Sequence, residues 1–217
     1  MPTGKLILLR HGQTTYNEQQ LMCGQFDAPL TPLGESQAKD AGKALAGMRF
    51  DKIYSSSLSR AFNTASLALD AAGIAPSIDK RDALMECDAG DFAGRSLTDP
   101  EILAFPRNRH MELPNGESEA QFVARIRRFY EAELLPRVER GETVLVVSHA
   151  GVMHALDAVM NAGEDGERSI WDTKRRLPNT AIVVVDYENG KITGERMLGE
   201  NPAPAPKPDA SGTRPHL

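Results

Sequence analysis

Short apolar runs alternate along the chain with segments whose apolar residues recur every three or four positions. The runs at 5–10 and 143–147 are almost continuously apolar, which is typical of strands covered on both faces. Asn189-Gly190, between two further runs, is a hairpin turn signal. The pattern predicts strands over residues 5–10, 52–55, 77–81, 143–147, 180–187 and 191–198.

The helical segments carry start signals of their own. Thr31-Pro32 places a hydroxyl at the N-cap and a proline at the first helical position. Ser118 and Gln121 form a capping-box pattern before a long amphipathic segment. Helices are predicted from 32 to about 47, from 57 to 73, near 100–105, from 118 to about 140, and from 152 to 160. The rest of residues 85–116 is expected to be irregular.

This alternation predicts an α/β fold, a three-layer α/β/α domain with a largely parallel central sheet. We expect that domain to span residues 1–198. Residues 199–217 are rich in proline and poor in apolar side chains, which predicts a disordered tail that acts as a spacer. Ligands of such sheets bind outside the carboxyl ends of the strands. Arg10-His11 and Ser148-His149 are both expected at such ends.

Composition narrows the function classes. The chain has 217 residues and a formal net charge of -5, and this acidity argues against a nucleic-acid-binding domain, which needs a basic face. No apolar run approaches the ~18 residues of a membrane span, and the first residues lack a signal peptide's apolar stretch. Cys23 and Cys87 are too few for a disulfide framework. We expect a cytoplasmic protein with neither nucleic-acid nor membrane partners.

The tripeptide Arg10-His11-Gly12 has the chemistry of a phosphate site. An arginine fork matches phosphate oxygens, and its charge lowers the pKa of a neighbouring imidazole, so that the ring keeps a free lone pair. Gly12 allows the backbone to turn sharply and to approach a ligand. The alternative is an ordinary structural histidine, and three residues alone do not exclude it.

Five separated motifs strengthen the first interpretation. Taken together, they resemble the histidine phosphatase superfamily, in its phosphoglycerate mutase-like branch, over most of the chain. The motifs are Leu9-Arg10-His11-Gly12-Gln13-Thr14; Pro29-Leu30-Thr31-Pro32-Leu33-Gly34; Tyr54-Ser55-Ser56 with Arg60-Ala61 and Thr64-Ala65; Glu86 with Gly90 and Gly94; and Ser148-His149-Ala150-Gly151.

The resemblance implies a division of labour among the motif residues. His11 is the implied phosphorylated nucleophile, and Glu86 is the implied general acid and base. The implied phosphoryl grip consists of Arg10, Arg60 and His149. The expected substrate contacts are Arg10, Asn17, Gly24, Gln25, Arg60, Glu86, His149 and Ala150. No metal site and no cofactor are expected, because a neutral imidazole can attack phosphorus unaided.

Several other polar residues have plainer interpretations. Cys87 is expected to be a bystander thiol, and His154 a structural residue. The basic residues of the irregular segment either form a pocket rim that binds a second anionic group or simply solubilise a loop; they are Arg95, Arg107, Arg109 and His110. Asn179, just before a predicted strand, is a further candidate for lining the pocket.

We expect a phosphatase that hydrolyses small phosphorylated metabolites, such as sugar phosphates or phosphoglycerate derivatives. Gln13 stands where the family's mutases usually carry Glu, and the span from Gly94 to Gly116 is short compared with the insertion that covers a mutase site. The alternative is a cofactor-dependent phosphoglycerate mutase. A non-catalytic phosphate-binding module is disfavoured, because Glu86 is present. The partner is therefore a small phosphate ester, and a homodimer is left open.

Overall fold

A single six-stranded sheet organises the computed structural model, which describes residues 2–75, 77–106, 108–161, 169–172 and 175–198. The strand order is β3-β2-β4-β1-β5-β6; the first four strands run parallel, and β5 and β6 are antiparallel to their neighbours. The strands are β1 (Thr3–Arg10), β2 (Lys52–Ser56), β3 (Ile78–Arg81), β4 (Thr143–Ser148), β5 (Ile182–Glu188) and β6 (Lys191–Leu198). The predicted tail at 199–217 lies outside the described residues.

The centre of the sheet sets the position of the two histidine motifs. β1 pairs in parallel with β4, with Leu6 opposite Val144 and Arg10 opposite Ser148. The backbone amide of His11 donates to the Ser148 carbonyl at 2.9 Å, so the contact continues past the strand ends. The expectation that both motifs lie at the carboxyl ends of parallel strands is therefore confirmed, and the structure adds that these two strands are neighbours.

Helices cover both faces of the sheet. The α-helices are α1 (Thr15–Glu18), α2 (Pro32–Leu45), α3 (Ser59–Ala71), α4 (Pro100–Ala104), α5 (Glu119–Phe129), α6 (Leu135–Glu139) and α7 (Ala150–Met160). Ile7 and Leu145 pack with α2 and α3 on one face, and their neighbours Leu6 and Val144 pack with α5 and α7 on the other. Because successive strand residues point to opposite faces, both sets are buried. The predicted three-layer architecture is confirmed.

The long helix predicted from 118 to 140 is not one regular helix. Its capping box is present, with Ser118 Oγ accepting from the Gln121 amide at 3.2 Å. A π-helical turn at Tyr130–Leu134 then separates α5 from α6. Pro136 follows this turn and has no N–H to continue the α-helical hydrogen bonds. The chain therefore changes from α-helical to π-helical hydrogen bonding just before it.

Two further findings concern the helices. The one-turn helix α1 follows the first motif directly, and Thr14 caps it by accepting from the Asn17 amide at 3.1 Å. Among the described residues, none of the helices has the length and apolar character needed to cross a membrane.

Candidate active site

His11 lies directly after β1 and is only 5% exposed. Its Nδ1 is 2.7 Å from the Gly12 carbonyl oxygen, which can only accept a hydrogen bond. Nδ1 therefore carries the proton, and the lone pair is left on Nε2. The carbonyl of His11 accepts from the Thr180 amide at 3.2 Å and from Asn179 Nδ2 at 3.1 Å, which fixes the backbone of the turn.

The surroundings of His11 keep its ring neutral. Burial lowers its pKa well below the usual value, and the positive charges of Arg60 and Arg10 lower it further. A neutral imidazole with a fixed Nδ1 proton is the nucleophilic form of histidine. The sequence-based expectation of an uncharged ring beside arginines agrees with this arrangement.

Arg10, the last residue of β1, brings a partly buried cation to the site. Its Nη1 donates to the Leu177 carbonyl at 2.5 Å, whereas its Nε is buried without a hydrogen-bond partner among the described residues. Burial lowers its pKa to about 10, so the guanidinium stays charged at neutral pH. A buried and unpaired N–H is costly, and the oxygen of a bound anion would satisfy it.

Arg60 is the second residue of α3 and is 1% exposed. Nη1 donates to the Phe26 carbonyl and Nη2 to the Gly24 carbonyl, both at 2.7 Å. Nε lies 3.2 Å from His149 Nδ1. Asp27 holds the start of the helix, because its carboxylate accepts from the amide of the preceding residue on α3, Ser59, at 2.9 Å. Arg60 thus joins the Gly24–Phe26 loop to the second histidine.

His149 connects β4 to α7 and is fully buried. Since Nδ1 accepts from Arg60, the proton lies on Nε2, which is 2.9 Å from Ser56 Oγ. Burial and the charge of Arg60 lower its pKa well below the usual value. The rings of His11 and His149 are 5.2 Å apart. Both nitrogens of His149 are engaged here, so the implied grip on the phosphoryl group stays a prediction and requires one of these bonds to break.

Glu86 is held at the N-terminus of α7. Its Oε2 accepts from the amide of Gly151 at 3.1 Å, and its Oε1 accepts from the amide of Cys87 at 2.9 Å. These two hydrogen bonds fix the orientation of the carboxyl group at the start of α7. A β-carbon at position 151 would lie closer to Oε1 than the 3.0 Å that real β-carbons keep, and 2.8 Å from Trp171 Cη2. Glycine is therefore required for this approach.

The remaining predicted contacts lie around this centre. Gln25 Nε2 donates to the Glu86 carbonyl at 3.1 Å, and Asn179 Nδ2 donates to Asn17 Oδ1 at 3.1 Å. Gly24 has a φ of +50°, and a β-carbon there would lie 2.5 Å from the Ala89 β-carbon. Ala150 is the first residue of α7, next to His149.

Of the two alternatives for the basic residues of the irregular segment, the rim is not supported at Arg95. Arg95 makes two hydrogen bonds to Asp99, at 3.0 and 2.9 Å, and one to Glu101 at 2.8 Å, so its charge is matched by acidic neighbours. Arg107 lies outside the described residues. Arg109 is half-buried and His110 is exposed, and their part in a rim stays a prediction.

The plainer interpretations of the other candidates are consistent with their surroundings. Burial and the neighbouring Glu86 raise the pKa of the Cys87 thiol, which opposes its use as a nucleophile. His154 lies in the second turn of α7, where burial lowers its pKa to about 4. Within the described part of the chain, no three His, Cys, Asp or Glu side chains are grouped so that they could hold a metal ion.

Sequence reasoning missed several residues that hold the site together. Ser56 fixes His149, and Thr64 Oγ1 accepts from the Gly12 amide at 3.0 Å. Both lie inside quoted motifs, so their positions were available, but their partners depend on the packing of α3 against the sheet. Trp171, beside Glu86 and Gly151, belongs to no motif and gave no signal.

Comparisons with known proteins agree with this geometry. A family model described as the histidine phosphatase superfamily (branch 1) matches residues 6–198. A protein of Rhizobium johnstonii named 2,3-bisphosphoglycerate-dependent phosphoglycerate mutase is 38% identical over 169 residues, which are 73% of this chain and 80% of that protein.

Two solved structures are similar over almost the whole chain. A mycobacterial glucosyl-3-phosphoglycerate phosphatase is 26% identical, with a TM-score of 0.71 over 90% of this chain and 97% of that one. A putative alpha-ribazole-5'-P phosphatase from Escherichia coli is 29% identical, with a TM-score of 0.76 over 89% and 95%.

Proposed function

This chain belongs to the histidine phosphatase superfamily, and we propose that it hydrolyses small phosphomonoesters through a phosphohistidine formed on His11. The observation that carries the proposal is the state of His11. Its Nδ1 proton is hydrogen-bonded to the Gly12 carbonyl, and its Nε2 lone pair is free beside the guanidinium groups of Arg10 and Arg60. Phosphoryl transfer asks a protein mainly for such alignment and such positive charge.

In the first step, the Nε2 lone pair of His11 attacks phosphorus, and the bond from phosphorus to the ester oxygen breaks. The electron pair goes to the leaving oxygen, and protonated Glu86 gives that oxygen a proton. The guanidinium groups of Arg10 and Arg60 offset the negative charge on the transferring oxygens. Nδ1 keeps its proton and its hydrogen bond to the Gly12 carbonyl, so the ring keeps one orientation throughout the step.

In the second step, water attacks the phosphohistidine. The Glu86 carboxylate takes a proton from the water, the bond between phosphorus and Nε2 breaks, and its electron pair returns to the ring. Inorganic phosphate leaves, and Glu86 is again protonated for the next ester. The Cys87 and Gly151 amides fix the orientation of the carboxyl group for both proton transfers.

Hydrolysis and transfer to a second hydroxyl share the first step, so mutase activity is the second candidate. The name of the Rhizobium relative favours it. The span from Gly94 to Gly116, which is short for a mutase, favours hydrolysis. Gln13 and the two similar phosphatase structures support hydrolysis.

Trapping the phosphoenzyme tests the shared step. We expect acid-sensitive phosphate on His11 during turnover, and we expect His11→Ala to lose phosphatase activity with little change in the midpoint of thermal unfolding. His216→Ala, at a histidine outside the proposed catalytic domain, is the matched control. Phosphate on another side chain, or full turnover by His11→Ala, would contradict the proposal.

Product analysis separates the two candidates. With 3-phosphoglycerate as the test ester, with and without 2,3-bisphosphoglycerate, a phosphatase releases inorganic phosphate faster than it forms 2-phosphoglycerate. The opposite order would make the chain a mutase. A wider panel of phosphorylated metabolites then identifies the preferred ester.

The catalytic domain is proposed to span residues 1–198.

A further inference from the structure

Arg125, on α5, uses all of its side-chain donors within the fold. Nε and Nη2 donate to the two carboxylate oxygens of Glu117, at 3.0 and 2.7 Å. Nη1 donates to the carbonyls of Ala83 and Met85, both at 2.9 Å, and Nη2 also donates to the carbonyl of Glu86 at 3.3 Å. A guanidinium has five N–H groups. These five hydrogen bonds therefore use its full capacity.

Glu117 extends the same grip to the other side of Glu86. Its Oε2 accepts from the backbone amide of Asp88 at 3.0 Å. The ion pair of Arg125 with Glu117 is 2.7 Å long, and each side chain is only 21% exposed. We name these two residues the Arg125–Glu117 clamp. It holds the backbone from Ala83 to Asp88, with Glu86 inside that stretch.

The clamp holds a segment that otherwise lacks regular structure. Asp82–Leu84 is a single 3-10 turn, and Glu86 follows it in a loop. Loop backbone has no hydrogen-bond ladder to fix it, and a catalytic group on a loop needs support from a rigid element. α5 is such an element, since its Phe122 and Ile126 are fully buried in the core.

We propose that Arg125 and Glu117 are positioning residues for the acid–base step, which they serve by holding the backbone that carries Glu86. This inference rests on the proposed function, in which Glu86 protonates the leaving oxygen. Neither side chain contacts the reacting atoms in this role. Lysine cannot replace Arg125 fully, because an ammonium has three donors and no planar fork.

The leaving group supplies a readout that a merely structural role would not move. Phenyl phosphate has a basic leaving group that needs a proton, whereas 2,4-dinitrophenyl phosphate has a weakly basic one that does not. We expect Arg125→Gln to slow single-turnover phosphorylation of His11 by phenyl phosphate roughly 10- to 100-fold, the range for a displaced general acid. The rate with 2,4-dinitrophenyl phosphate is expected to fall less than about threefold.

The companion variants keep the test decisive. Glu86→Gln is expected to show the same selective loss, and Arg125→Lys a smaller one. Thermal unfolding shows whether Arg125→Gln folds. If it does not, Glu117→Gln, which preserves the size of the side chain, is still expected to show the selective loss with phenyl phosphate. Arg128→Gln, at an exposed arginine of the same helix, is the control and is expected to match the wild type.

Equal losses with both esters, or no loss in either the Arg125 or the Glu117 variants, would overturn the inference while leaving the proposed function intact. If the wild type forms no phosphohistidine, or if Glu86→Gln shows no dependence on the leaving group, the proposed function or its acid step fails first. The inference then fails with it.

Discussion

Replacing Gly151 by alanine displaces the carboxyl group of the candidate acid, Glu86, without a mutation at Glu86 itself. Gly151 donates its amide to Glu86 Oε2, and an added β-carbon would overlap Oε1 and lie 2.8 Å from Trp171 Cη2. Oε1 is the end of a flexible side chain, whereas Gly151 is fixed in the first turn of α7. The carboxylate is therefore the group that moves.

The size of the effect follows from that displacement. To reach ordinary van der Waals contact, Oε1 must retreat by about 1 Å, and a misplacement of this size costs about 100-fold in rate, or about 2.7 kcal/mol of transition-state stabilisation. The free energy of unfolding is expected to change much less than this. Alanine in place of glycine favours a helix by up to about 1 kcal/mol, which offsets the small shift of Trp171.

The assay pairs steady-state kinetics with thermal unfolding. We expect kcat/KM of Gly151→Ala to fall by about 100-fold while its unfolding midpoint stays within a few degrees of the wild type. Gly194→Ala is the matched control, because the nearest atom to its added β-carbon is Asp186 Oδ2 at 3.7 Å. Wild-type activity in Gly151→Ala would refute the assigned position of Glu86, and a large drop in the midpoint would show that the fold, not the acid, was disturbed.

Two further predictions concern stability. In the folded state the pKa values of His11 and His149 lie well below the usual value, and that of His154 is about 4. Below pH ~6.5 the unfolded chain therefore binds protons that the folded chain does not. The free energy of unfolding should be highest above that pH and fall by about 1.4 kcal/mol per pH unit for each histidine as the pH drops; the contribution of His154 ends at about pH 4. Urea unfolding between pH 7.5 and 5 measures this, with a shallower slope expected for His154→Gln; a flat profile contradicts it. Asp27→Ala should lower the free energy of unfolding by about 1 kcal/mol and reduce activity, because the Asp27 carboxylate caps α3, the helix that carries Arg60. Unfolding and kinetics of this variant are compared with those of Asp70→Ala, at an exposed acid of α3. Equal effects of the two variants would exclude a capping role for Asp27.

The fold was largely predictable because burial on two faces leaves a strong signal in the sequence. The continuous apolar run of β1 and the capping box of α5 both indicated their elements directly. Two features lacked such a signal. The four residues of α1 are too few to show a helical period, and the π turn at Tyr130–Leu134 depends on how the chain accommodates Pro136.

The candidate site was predictable in its members but not in their partners. The motifs brought His11, Glu86 and Arg60 forward, yet nothing in them indicates that the Gly12 carbonyl holds the Nδ1 proton. Partners of this kind depend on turns and on strand register. Arg125 was simply a polar position on an amphipathic helix, because the carbonyls it binds lie about 40 residues earlier in the chain.

The partners also separate arginines that the sequence cannot distinguish. Within the described ranges, Arg10 and Arg60 form no ion pair and are held by neutral backbone carbonyls, whereas Arg95 and Arg125 are each paired with carboxylates. A carbonyl dipole fixes a guanidinium without cancelling its charge. The positive charges of Arg10 and Arg60 therefore lower the pKa of His11 and can attract a phosphate. The charges of Arg95 and Arg125 are neutralised by their carboxylate partners. The bonding partner, more than the residue type, decides which arginines can serve phosphoryl transfer.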